Sequence, residues 1–135
     1  MKSLYKDKIF GILNRNGFEF KINKLEDDFI IYLLDFKKVG EMNSKFGYLK
    51  TNKKFKKTFK KIKKNGYIVG RCFYGDEILI ALPYEGYENV HTVEYLKNAC
   101  DKKGLKFRKV CTIHYKQDRI SKTIKKLIKK IEKYK

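Results

Sequence analysis

The chain has 135 residues, 42% hydrophobic and 15% aromatic, which suits one packed domain spanning 1–135 and argues against disorder. Its 34 basic against 15 acidic residues give a net charge of +19, a field that attracts nucleic acid, anionic membrane or a nucleoside triphosphate. No apolar run approaches the roughly eighteen residues of a membrane span and the start lacks a signal-peptide core, so a cytoplasmic location is expected.

Nearly all of the positive charge is lysine. Arginine, the usual base-reading residue, occurs only at Arg15, Arg71, Arg108 and Arg119. Cys72, Cys100 and Cys111 form no C-x-x-C pair and read as buried thiols, not a disulfide frame or zinc site. His91 and His114 lack partners at metal-ligand spacing and read as structural or surface residues.

In chain order, Gly11 breaks an apolar cluster, and from Asn14 onward Phe18, Ile22 and Leu25 recur at helical spacing. Phe29–Leu34 is a continuous apolar run that predicts a central strand ending on Asp35. Lys38–Phe46 follows as a helix with Val39, Met42 and Phe46 on one side and Gly47 as its stop. Lys50–Lys64 carries nine lysines and no acid, with Phe55, Phe59 and Ile62 as one inward stripe. Its lysines are read first as a solvated face.

Tyr67–Phe73 and Ile78–Leu82 then form two apolar runs around a short break containing Gly75, Asp76 and Glu77, the pattern of a tight hairpin. A helix over Val90–Lys103 with Gly104 as its cap, an alternating strand over Lys106–Tyr115 and a final helix from Ile120 to Lys135 complete the chain.

Without its extra helices the order is βαββαβ, an α+β, ferredoxin-like antiparallel sheet with helices on one side. In that topology the first strand and the hairpin are neighbours. Asp35, at one strand end, therefore comes close to Asp76 at the hairpin tip. Alone, each acid has an ordinary alternative, a helix N-cap for Asp35 and a solvated turn for Asp76. Together they make paired carboxylates suited to one or two divalent cations for phosphoryl or nucleotidyl transfer.

These residues resemble the GGDEF, or diguanylate cyclase, domain family, a relative of the polymerase and cyclase palm. Asp7, Gly11, Asn14, Arg15 and Phe18 match its D-x-L-T-G-L-x-N-R-x-x-F motif. Leu34 and Asp35, with Asn43, Phe46 and Gly47, match L-D-x-D-x-F-K-x-x-N-D-x-x-G-H. Arg71 and Tyr74–Ile78, running on to Leu82 and Pro83, match R-x-G-G-D-E-F and the strand ending L-P.

The resemblance implies Asp35 and Asp76 as metal ligands for Mg2+ or Mn2+, with the Phe36 backbone carbonyl as a third. It implies Glu77 as the acid that activates the attacking 3′-hydroxyl. Asn43 and Asn52 match the base-recognition positions, and Tyr74 and Gly75 line the nucleotide. Lys129 and Lys133 have the spacing of the phosphate-binding pair. The implied substrate is GTP or ATP, condensed into a cyclic dinucleotide signal, with a homodimer during catalysis.

The departures are equally specific. Tyr74 stands at the first glycine of the signature, Asn52 at a position normally Asp, and Lys37, Val39 and Gly40 where the family has its second Asp and Phe-Lys. Two other readings therefore stay open: a degenerate domain that binds nucleotide or cyclic dinucleotide without turnover, and a basic nucleic-acid-binding module with the lysine helices as its electrostatic footprint, whereas lysines that only steer a triphosphate would bind nucleic acid weakly and without sequence preference.

Overall fold

The structure is a computed structural model that describes residues 5–25, 28–36, 39–72, 77–83, 90–102, 104–115 and 120–132. Its main strands are β3 (Phe29–Phe36), β4 (Ile68–Arg71), β5 (Glu77–Pro83) and β6 (Phe107–Tyr115), numbered after a short N-terminal pair, β1 (Lys6–Asp7) and β2 (Ile12–Leu13). The sheet order is β1-β2-β4-β5-β3-β6. Strands β4, β5, β3 and β6 pair antiparallel throughout, which is the ferredoxin-like core expected of βαββαβ.

The helices are α1 (Arg15–Lys24), α2 (Val39–Phe46), α3 (Tyr48–Lys64), α4 (Val90–Asp101) and α5 (Ile120–Glu132). They cover both faces of the sheet, not one. Ile30, Tyr32, Leu34 and Phe36 of β3 pack with Phe55, Phe59 and Ile62 of α3 and with Leu96 of α4. Phe29, Ile31 and Leu33 point the other way, onto Phe18 and Ile22 of α1 and Ile120, Ile124 and Leu127 of α5. A strand covered on both faces is apolar at every position, which is why β3 lacks alternation.

Two contacts position these layers. Gly70 of β4 lies against α1 so closely that an added Cβ would meet the Phe18 side chain at 2.8 Å. Gly47 takes φ +82° between α2 and α3, a conformation that L side chains rarely adopt. Its N–H donates to the Asn43 carbonyl at 2.8 Å and its carbonyl accepts from Thr51 N–H at 3.1 Å, so the two helices turn tightly about it.

Three details differ from the pattern read in sequence. The β1–β2 hairpin was not expected: each strand has two residues, too few for a period. Helix α3 starts at Tyr48, and α4 ends at Asp101. Leu25 and Phe46, expected inward, are each 39% exposed, because each lies at a helix end where the stripe has run past the sheet.

Candidate functional site

Two of the three predicted acids, Asp35 and Glu77, meet where β3 ends. Asp35 is the second-last residue of β3 and only 4% exposed. The β3–β5 register places it directly opposite Glu77, the first residue of β5. Residues so paired share a face, with Cβ atoms about 5 Å apart. Alternation puts both on the α1–α5 side, in line with Leu33 and Leu79. The Glu77 oxygen Oε2 is itself buried. Like charges facing each other at short range repel, and a cation shared between them offsets that cost.

Asp76 lies outside the described residues, as do Tyr74, Gly75 and Lys133. In sequence, Asp76 directly precedes Glu77. The strands remain joined up to this point, since Cys72 N–H donates to the Glu77 carbonyl at 3.0 Å. On the other side of β3, the pairing with β6 shifts between Asp35, opposite Lys109, and Phe36, opposite Phe107. This irregularity at the predicted metal position is of the kind that re-aims side chains beside active sites.

Phe36 turns its ring into the opposite core, edge-on to Phe55 at 5.2 Å and to Phe107 at 6.0 Å. Only its backbone is left for the role implied by the resemblance. Asn43 on α2 and Asn52 on α3 belong to that same side of the sheet, whereas Lys129 is exposed on α5 with the carboxylates' side. The helices that carry these residues thus lie on both faces of the sheet.

Hard oxygen donors at this corner fit Mg2+ or Mn2+, which take carboxylates and keep several waters. Asn43 contributes a second signal: its Oδ1 is buried with no hydrogen-bond partner among the described residues. The same holds for Thr51 Oγ1, on a residue with no exposed surface. Thr51 was not singled out in sequence, since a lone threonine on a helix carries no pattern.

Cys72 is inert here. Its thiol is pushed up from 9.0 to about 12, mainly by burial, with Glu77 and Glu19 adding and Arg15 opposing. Arg15 opens α1 and pairs with Glu19 at 3.5 Å, placing a guanidinium near this corner.

The remaining motif residues are architectural. Asn14 caps α1, accepting from Gly17 N–H at 2.8 Å. Asp7 accepts from Phe10 N–H at 2.9 Å and from Arg71 Nη1 at 3.0 Å. His91 is 96% exposed and lies 3.8 Å from Glu94, as expected of a surface residue.

No protein-family model and no curated protein matches the sequence. Solved structures do match. A microbial GGDEF domain, described with bis-(3,5)-cyclic di-GMP, has a TM-score of 0.68 at 17% identity over 84% of this chain and 78% of its own. A diguanylate cyclase/phosphodiesterase from Caldicellulosiruptor saccharolyticus has 0.68 at 16%, over 97% of this chain and 89% of its own. A sensory box/GGDEF family protein from Caulobacter crescentus has 0.67 at 14%, over 97% and 99%. The chain has the GGDEF-type, palm-like fold. Among the described residues, no helix is long and apolar enough to cross a membrane.

Proposed function

We propose that this chain is a divergent GGDEF-type nucleotidyltransferase. A divalent cation held by Asp35, Asp76 and the Phe36 carbonyl would neutralise the triphosphate. Glu77 would accept the proton of the attacking 3′-hydroxyl. Asn43 and Asn52 would bind the base, with Gly75 and Tyr74 beside it, and Lys129 and Lys133 would hold phosphate oxygens. A 3′-oxygen of one nucleotide attacks the α-phosphorus of another, the bond to the β-phosphate breaks, and pyrophosphate leaves. Two copies, each presenting one nucleotide, would complete a cyclic product.

The observation that carries this reading is the in-register pairing of buried Asp35 with Glu77, one residue from Asp76. Two carboxylates so placed suit phosphoryl chemistry through a shared cation. Tyr74 at the first glycine of the signature favours a second reading, nucleotide binding without turnover, because its ring is far larger than the residue it replaces.

Incubation with each nucleoside triphosphate and Mg2+ or Mn2+, followed by chromatography, tests both. A dinucleotide plus pyrophosphate, lost in Asp35→Asn and Asp76→Asn, supports the enzyme. Metal-dependent nucleotide binding without product leaves the second reading standing, and neither binding nor product overturns both.

A further inference from the structure

At the opposite edge of the sheet, Lys6 of β1, Lys21 of α1 and Lys63 in the last turn of α3 line a cavity of about 320 Å³. Its apolar wall comes from Ile12, Ile68 and Val69, with Tyr67 beside them. The Tyr67 ring is held by stacking on Tyr95, centroids 5.6 Å apart and planes 10° from parallel.

Lys63 Nζ donates to the Gly11 carbonyl at 3.3 Å, which uses one of its three N–H groups. Its pKa is lowered, by burial first and then by Lys6, Lys21 and Lys60, so these ammoniums are close enough to repel. Among the described residues none of Lys6, Lys21 and Lys63 forms an ion pair with a carboxylate. Asp7, next to Lys6, bonds Phe10 N–H and Arg71 instead.

The carboxyl end of α3 supplies about half a negative charge, which explains one lysine there but not three. β2 pairs with β4 in parallel at Leu13 and Gly70, which sets Ile12 beside Val69, so among the described residues the β4 edge has no strand beside it at Ile68. The volume lies at the lower end for small-molecule sites and is too small for an oligonucleotide.

We propose that this cavity is a binding site for a small phosphate-bearing anion, seated between Lys6, Lys21 and Lys63. It is separate from the carboxylate corner. Ile68 pairs with Ala81, four residues along β5 from Glu77, a distance on the order of 13 Å. The proposal does not depend on nucleotidyl transfer.

Isothermal titration of the full chain in EDTA tests it, because chelation silences metal-dependent binding at Asp35. The probes are inorganic phosphate, pyrophosphate and AMP. Pyrophosphate should bind saturably, and Lys63→Gln and Lys21→Gln should each weaken it by about tenfold or more. Lys57→Gln and Lys125→Gln, on exposed positions elsewhere, should change it less than about twofold.

Both cavity variants should melt no lower than wild type, since each removes a repelling charge, so lost binding cannot be ascribed to unfolding. AMP binding tighter than phosphate makes the ligand a nucleotide seated on Tyr67, and equal or weaker binding makes it a free phosphate anion. Equal weakening in the control variants, or no saturable binding by any probe, overturns the site.

Discussion

At the N-terminal corner, Asp7 accepts from the Phe10 N–H and from Arg71, and Arg71 lies over the Phe10 ring with its guanidinium carbon 4.4 Å from the centroid. At the end of β3, Asp35 faces Glu77 across paired strands, and Asn43 Oδ1 lies buried nearby in sequence without a partner among the described residues. Both corners carry residues of the same family motifs. In the first, the chain supplies the partners, and the residues are explained by folding. In the second, two carboxylates face each other across paired strands. The contrast is between a corner whose polar groups join one another and a corner of facing carboxylates, the one proposed above to take the ligand.

The largest expected effect concerns how closed the second corner is. With its thiol pushed up to about 12, Cys72 should react with iodoacetamide at pH 8 about a thousandfold more slowly than an ordinary thiol. Mass spectrometry of the native protein measures this directly. Fast labelling would mean that the Cys72–Glu77 end of the hairpin opens readily, and the two corners would then differ in order, not in chemistry.

Asp7→Ala probes the first corner. It removes the acceptor for Phe10 and leaves Arg71 charged with 15% of its side chain exposed. A loss of about 3 kcal/mol is expected by urea denaturation, near the lower end for breaking a buried pair because both partners keep some water. A loss below about 0.5 kcal/mol would show this bridge to be decorative, and the corner would need another explanation.

Asp35→Asn is the matching change at the second corner and should behave oppositely. Without ligand it should be no less stable than wild type, because it removes one of two facing negative charges. With metal and nucleotide at about a hundredfold their Kd, wild type should gain about 2.7 kcal/mol and the variant almost nothing. A markedly destabilised apo variant would put Asp35 in the architectural class with Asp7.

Much of this contrast was legible in the residues. The unbroken run Phe29–Leu34 announced a central strand, and Phe55, Phe59 and Ile62 announced the inward side of α3. From these the ferredoxin-like order, and hence the nearness of Asp35 to the hairpin, followed. Sequence could not tell that α1 and α5 cover the opposite face, since a helix stripe says that a face is buried, not against which side of a sheet.

The β1–β2 hairpin escaped because strands of two residues have no period to read. The lysine cavity escaped for another reason. Lys6, Lys21 and Lys63 are distant in sequence and sit among many lysines, so only the folded edge distinguishes them.

The smallest effect is the most diagnostic. Asn43 sits within α2, where alanine is the better helix former by several tenths of a kcal/mol. Asn43→Ala also removes a buried oxygen with no partner among the described residues, whose desolvation is a standing cost. Both changes favour the variant, so apo stability should rise by about 1 kcal/mol. If a nucleotide base donates to Oδ1 in the bound state, nucleotide affinity should fall by about tenfold, with the preference among bases reduced. Denaturation and a parallel titration with each nucleotide read the two quantities separately. A rise in stability with a fall in affinity places Asn43 with Asp35 as a residue held ready for a ligand. A fall in stability would mean that Oδ1 has a partner within the chain, and Asn43 would then belong with Asp7 and Asn14, among the residues that build the fold.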